Sequence, residues 1–179
     1  MPVDEEIYLK QVELSCAGDL FGLIDECRPY LRQWLSWVDN TETVEDTMEY
    51  IRSAEEGNMF RGRLVFAIYY RGIVAGLIDL HNGDRENLKG EIGYWLAEKF
   101  QNKGIITRSC RAVVDYVFKM MGLNRIVIRC AAGNTKSQKV PERLGFSYEG
   151  IEKEGQQLYD EFHDLKIYSM LRKDWQVNI

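Results

Sequence analysis

The chain has 179 residues, 45% of them hydrophobic and 28% charged, enough apolar material for one sizeable core and a single domain over residues 1–179. Lys plus Arg number 23 against 28 Asp plus Glu, a net charge of −5, so there is no global attraction to phosphate backbones and nucleic acid is not expected as a partner. The MPVDEEIYLK start is acidic where a signal peptide is basic, no apolar run is long enough to cross a bilayer, and the four cysteines show neither CxxC pairing nor metal-ligand spacing, so a reduced, cytoplasmic protein without membrane or metal is expected.

Residues 6–14 alternate apolar and polar, as an opening strand does, and Ser15 is placed to cap a helix through Leu20, Ile24 and Cys27. Pro29 begins a second short segment, in which Trp34 and Trp37 are three apart and are predicted to share a helix face. Thr43 and Asp46 resemble a capping box opening a helix that runs to Gly57. The runs LVFAIYY (64–70) and IVAGLIDL (73–80), separated by Arg71-Gly72, predict an antiparallel hairpin, and HNGDRENLKG after them a polar loop. EIGYWLA (91–97) is a further central strand. Ile105, Ile106, Ser109, Cys110, Val113, Val114, Val117, Phe118 and Met121 then recur at helical spacing until Gly122. RIVIRCA (125–131) reads as a buried strand, Asn134 as the cap of a helix to about Leu144, and 146–152 and 163–171 as the last two strands. This order predicts an α/β (α+β) fold: a mixed sheet with helices on both faces and a right-handed parallel crossover from Glu91 to Ala131.

Two short segments carry chemistry. Gln101-Asn102-Lys103-Gly104-Ile105-Ile106-Thr107 lies between a strand and an amphipathic helix, where unpaired N–H groups and the helix dipole make a site for a pyrophosphate. Gly104 allows a sharp turn and a close backbone approach, and Thr107 adds a hydroxyl. The same seven residues also suit a plain strand–helix connection. They contain neither a P-loop nor GxGxxG. The second segment is Asn134-Thr135-Lys136-Ser137 followed by Glu142-Arg143-Leu144-Gly145-Phe146, in which Asn134 also suits a simple helix cap. Cys110 lies near an anion site, where thiolates are stabilised, yet its spacing places it on the buried stripe.

EIGYWL followed by QNKGIIT, LNRIVIRCAAGNTKSQKVPERLGF, EG and HDLKIYSML resembles the GNAT acetyltransferase superfamily, and within it the branch of ribosomal-protein N-terminal serine and alanine acetyltransferases, to which YLRQWLSWVD is also similar. The resemblance spans Ile7 to Trp175 and implies a mostly antiparallel seven-stranded sheet with a splayed central parallel strand pair. It implies acetyl-CoA as co-substrate and an amine acceptor, a protein N-terminus first among the options, in an enzyme that in this branch is often a homodimer. Strand 91–97 is then expected to splay at a bulge near Trp95-Leu96, with pantetheine pairing to the backbone of Trp95, Leu96 and Ala97. The pyrophosphate would rest on the N–H groups of Lys103, Gly104, Ile105, Ile106 and Thr107, with Gln101 at the loop entrance, Asn134 holding the pantetheine or an ordered water, and Ser137 near the thioester sulfur. Two departures stand out. Ile106 replaces a Gly or Ala and is expected to turn into the core, and Pro141 stands where many members carry a general-acid tyrosine, kinking its helix. In the ribosomal branch the serine, here Ser137, takes that role.

Attack of an amine on a thioester needs a proton acceptor, a donor for the developing oxyanion and a proton for the thiolate. The expected catalytic set is Glu91 as a base acting through water, with Glu154, His81 and Gln156 as weaker options, the Leu96 N–H as oxyanion donor, and Ser137 with Asn134. Glu91 equally suits a solvated strand-edge carboxylate. Tyr30, Trp34 and Trp37 are candidates for an aromatic acceptor wall, or for packing against the sheet. Two other readings stay open: a small-molecule amine acetyltransferase, for which Asp39, Glu42, Glu45, Asp46 and Glu49 would gather a polyamine, and a non-catalytic acyl-CoA-binding module.

Overall fold

The computed structural model describes residues 1–56 and 63–175. Strand β1 (Ile7–Gln11) leads through a 3-10 turn into α1 (Ala17–Glu26), α2 (Arg28–Leu31) and α3 (Val44–Glu56). Strands β2 (Leu64–Tyr70), β3 (Ile73–Asp84) and β4 (Lys89–Leu96) follow, then α4 (Ile105–Lys119), β5 (Arg125–Ala131), α5 (Thr135–Arg143), β6 (Ser147–Leu158), β7 (Glu161–Leu171) and the short α6 (Arg172–Trp175). The strands form one seven-stranded sheet in the order β1-β2-β3-β4-β5-β7-β6, antiparallel except for the β4–β5 pair. β2 and the first half of β3 are buried at nearly every position, which requires cover on both faces of the sheet.

Local chemistry explains several elements. Arg71 and Gly72 take φ of 51° and 81°, the left-handed pair that matches strand twist in a two-residue hairpin. Thr43 and Asp46 form the predicted reciprocal box: Asp46 Oδ2 accepts from Thr43 N–H at 2.8 Å while Asp46 N–H donates to Thr43 Oγ1 at 3.4 Å. The stripe Ile105, Ser109, Cys110, Val113, Val114, Val117 and Phe118 is the buried face of α4.

Other expectations are corrected. Ser15 caps nothing; its hydroxyl donates to the Glu13 carboxylate, and α1 begins at Ala17 without a side-chain cap. The expected loop at 81–90 is mostly strand, because β3 continues to Asp84 and β4 starts at Lys89. The last hairpin is longer than expected for the same reason: exposed, charged positions on the edge strand β6 hide its alternation, a pattern that protects sheet edges from further pairing. Trp34 and Trp37 share no helix face, since α2 ends at Leu31 and Trp37 belongs to a separate 3-10 turn, Ser36–Asn40. Gly57, the expected end of α3, lies outside the described residues.

The central feature is the β4–β5 pair. Its ladder is only Lys89–Glu91 against Arg125–Val127, after which the strands diverge. The β3–β4 register is regular through Leu77↔Trp95 and Gly76↔Leu96, with its irregularity between His81 and Asp84, so the bulge expected at Trp95-Leu96 is absent. The short parallel ladder alone opens the gap. No helix among the described residues is long and apolar enough to cross a membrane.

Candidate active site

Two cavities meet in the gap between β4 and β5. The first, roughly 610 Å3, runs from Tyr94–Leu96 past Gln101–Arg108 to α5. The second, roughly 500 Å3, lies over β3, β4 and β5 beneath the α1–α3 segment. Trp34, Leu35, Tyr94, Trp95, Asn134 and Ser137 line both. Anything held along the first cavity with its end at Ser137 therefore faces whatever enters the second.

The first cavity is built for an anion at one end. Asn102 and Gly104 both take positive φ, 61° and 70°, and turn the chain sharply into α4. Gly104 is the helix N-cap, and no side chain caps the first turn, so its N–H groups are open to a ligand. A β-carbon at Gly104 would meet only Arg108 Nε at 3.9 Å, so it is conformation and not space that demands glycine there. Arg108 braces the loop from behind: it donates to Asp4 at 2.7 Å, to Glu6 at 3.2 Å and to the Lys103 carbonyl at 3.0 Å. Lys136, on α5, reaches across to Gln101 Oε1 at 2.9 Å and ties the loop to the Asn134–Ser137 turn.

Of the residues expected here, Trp95, Leu96, Gln101, Gly104, Ile105, Ile106, Thr107, Asn134 and Ser137 line the first cavity. Ile105 is buried, and Ile106 is half-buried, packed against the core while also lining the cavity. Ala97 is fully buried, and its N–H is already committed to the Ala75 carbonyl at 2.9 Å, so it has no donor left for pantetheine. The Lys103 ammonium lies over the Tyr70 and Phe100 rings, 5.3 and 5.5 Å from their centroids. Tyr30 lines the first cavity alone, beside Gln101 and Lys136, and not the acceptor side as expected. Asn134 Oδ1 accepts from Ser137 N–H at 3.1 Å, and Ser137 Oγ lies 3.3 Å from both Cys130 Sγ and Tyr94 Oη. Burial pushes the Cys110 thiol up to about 12, so it is an inert core residue.

The second cavity has aromatic walls, Trp34, Trp37 and Trp95, with the last two rings 6.1 Å apart. Its floor is a row of alternating charge. His81 lies between Asp79, at 3.3 Å, and Glu91, at 3.5 Å, and Glu91 accepts from Arg129 at 3.0 Å and from Asn82 at 3.2 Å. Burial would raise the Glu91 carboxyl, but the hydrogen bonds of His81 and Arg129 outweigh it and pull it down to about 2. The Glu91 carboxylate thereby orders the His81 and Arg129 side chains on the cavity floor. Burial likewise lowers His81, and its two carboxylate partners more than reverse this, to about 9.

A histidine raised from 6.5 to about 9 on folding stabilises the fold fully below 6.5 and loses that contribution as pH climbs through 9. Thermal melts between about pH 6 and pH 10 are therefore expected to show a drop in the native chain that His81→Gln flattens. Equal pH slopes in the two would refute the paired, charged state of His81.

Sequence reasoning named Glu91 and His81 but missed Tyr94, Lys136 and the Asp79 and Arg129 partners that complete the row. Period-two alternation along EIGYWL already set Tyr94 on the face opposite Gly93 and Trp95, and Asp79 and His81 are two apart on β3.

The sequence profile of the acetyltransferase (GNAT) domain matches residues 7–147. The chain belongs to the GNAT acetyltransferase family. It is 38% identical over 179 residues to the Bacillus subtilis (strain 168) protein named "Putative ribosomal N-acetyltransferase YdaF", covering 97% of this chain and 96% of that protein. It is 31% identical over 173 residues to the ribosomal-protein-serine acetyltransferase of Escherichia coli (strain K12), covering 94% of each. Among solved structures, RimL, a ribosomal alpha-N-protein acetyltransferase in complex with coenzyme A, superposes with a TM-score of 0.91 at 26% identity, covering 95% of this chain and 96% of that one. This GNAT enzyme is an acetyl-CoA-dependent N-acetyltransferase. The uncapped α4 N-terminus, the strand gap and the Asn134–Ser137 turn are the features of its own chain that fit a pyrophosphate, a pantetheine arm and a thioester in that order along one cavity.

Proposed function

We propose that this GNAT acetyltransferase works in the cytoplasm on the N-terminal α-amine of a protein, a ribosomal protein first, and that acetyl transfer takes place where the two cavities share Tyr94, Trp95, Asn134 and Ser137. That shared wall carries the reading. In this reading an acceptor enters between Trp34, Trp37 and Trp95, which line the second cavity, and meets the end of the cofactor channel. The names of two relatives matched over nearly the whole chain point to the same acceptor class.

The α4 N–H groups hold the pyrophosphate through the helix dipole, and Asn134, fixed by its bond to Ser137 N–H, orders the turn beside the thioester. The amine nitrogen forms a bond to the thioester carbonyl carbon and gives up a proton to water in the second cavity, since His81 and Glu91 are already paired with each other and with Asp79 and Arg129. The Leu96 N–H faces the oxygen that gains charge. As the carbon–sulfur bond breaks, Ser137 Oγ–H gives its proton to the sulfur and recovers one from water.

The acidic run supports this reading over a polyamine acceptor. Asp39 is paired with Arg32 at 2.8 Å and Asp46 holds the α3 cap, so two of the five carboxylates are already committed to partners within the chain. The test is thiol release from acetyl-CoA with Ser- and Ala-starting peptides, spermidine and an aminoglycoside. Turnover with the peptides is expected; turnover with small amines only would overturn the reading.

A further inference from the structure

Helix α5 contains Pro141, which has no amide hydrogen. The carbonyl four residues earlier, that of Ser137, therefore loses its helical donor. A buried carbonyl left unpaired costs about 1–3 kcal/mol, and that of Ser137 is partly buried. This one is paired from outside the helix: the Tyr94 hydroxyl, projecting from β4, donates to Ser137 O at 2.9 Å. The Ser137 hydroxyl donates back to Tyr94 Oη at 3.3 Å. With Asn134 Oδ1 on the Ser137 N–H at 3.1 Å, every polar group of Ser137 has a named partner, and Tyr94 supplies two of the three. Both residues stand on the wall shared by the two cavities.

We propose that Tyr94 is the positioning residue of Ser137: it stands in for the amide that Pro141 lacks and fixes the Ser137 hydroxyl in the gap where the thioester and the amine meet. The inference rests on the reading of Ser137 as the proton donor to the leaving sulfur. The shorter bond, to the carbonyl, carries the hold. It fixes the first turn of α5, and with it the direction of Cα–Cβ at Ser137. Without it Ser137 Oγ keeps Cys130 Sγ, 3.3 Å away, as its other partner and turns from the gap. Burial raises the Tyr94 hydroxyl well above the ordinary tyrosine value, so it stays a donor throughout the working pH range.

The test is steady-state kinetics on Tyr94→Phe, Pro141→Ala and the double variant, each assayed below its own melting transition. Tyr94→Phe is expected to lower kcat about tenfold with KM for acetyl-CoA little changed, as a displaced catalytic group does. Pro141→Ala returns an amide to the helix, so alone it is expected to be near native, and in the Tyr94→Phe background to recover most of the lost kcat. Native kcat in Tyr94→Phe, while Ser137→Ala is impaired, would overturn the inference and leave the proton-donor reading standing. A double variant no faster than Tyr94→Phe would overturn it too. Native turnover in Ser137→Ala would remove the proton-donor reading, and the inference with it.

Discussion

Ser137→Ala is expected to lower kcat about 100-fold, the lower end of what a positioned proton donor contributes, because a thiolate is a good leaving group. KM for acetyl-CoA is expected to stay near native, since the α4 N-terminus and the Asn134–Ser137 backbone bond do not involve the hydroxyl. The substitution removes two contacts of 3.3 Å, to Tyr94 Oη and Cys130 Sγ, and neither leaves a charge unpaired, so the fold should tolerate it. Rate measurements across pH check this. Turnover equal to the native chain at every pH would exclude Ser137 as the proton donor.

Gly76→Ala is expected to have the largest effect on the fold. An added β-carbon would stand 2.2 Å from the Trp95 carbonyl oxygen and 2.9 Å from Leu96 Cα, both main-chain atoms that cannot rotate aside. β3 and β4 would have to part at Leu77↔Trp95 and Gly76↔Leu96, the stretch that lines the cofactor channel. A loss of about 3 kcal/mol in stability is expected from such overpacking, with kcat/KM falling at least about tenfold as the wall shifts. Gly22→Ala is the control: in α1 the new methyl meets nothing within 4 Å. There a gain of about 0.5–1 kcal/mol is expected from helix propensity. Denaturant unfolding of the two variants checks the pair, and equal stabilities would contradict the close approach at Gly76.

The sequence was legible where local chemistry decides the outcome. Arg71-Gly72 announces a hairpin because few residue pairs accept two left-handed conformations, and Thr43 with Asp46 announces a helix start because the two side chains satisfy each other's backbone donors. The α4 stripe is readable because its burial follows the helical period. Legibility fails where tertiary contacts decide. The exposed, charged positions of β6 conceal an edge strand, and Trp34 and Trp37 fall on separate turns despite helical spacing.

The site divides the same way. The loop from Gln101 to Thr107 could be read because one segment supplies its glycine, its turn and its helix N-terminus. Glu91 could not be judged from its own strand, because its low pKa comes from Arg129, 38 residues on, and from His81 on the neighbouring strand. Nor could the compensation for Pro141 be read, since its donor, Tyr94, lies 43 residues before the carbonyl it serves. In each case a local rule was broken in the sequence and mended by a residue brought close only by the sheet.

The most direct measurement is mass-spectrometric location of the acetyl group after incubating the enzyme and acetyl-CoA with a Ser-starting peptide that also carries an internal lysine. Two cavities joined at Ser137, with an acceptor side walled by Trp34, Trp37 and Trp95, predict a single acetyl on the terminal α-amine. An acetyl on the lysine side chain, or an unmodified peptide alongside an acetylated small amine, would contradict it.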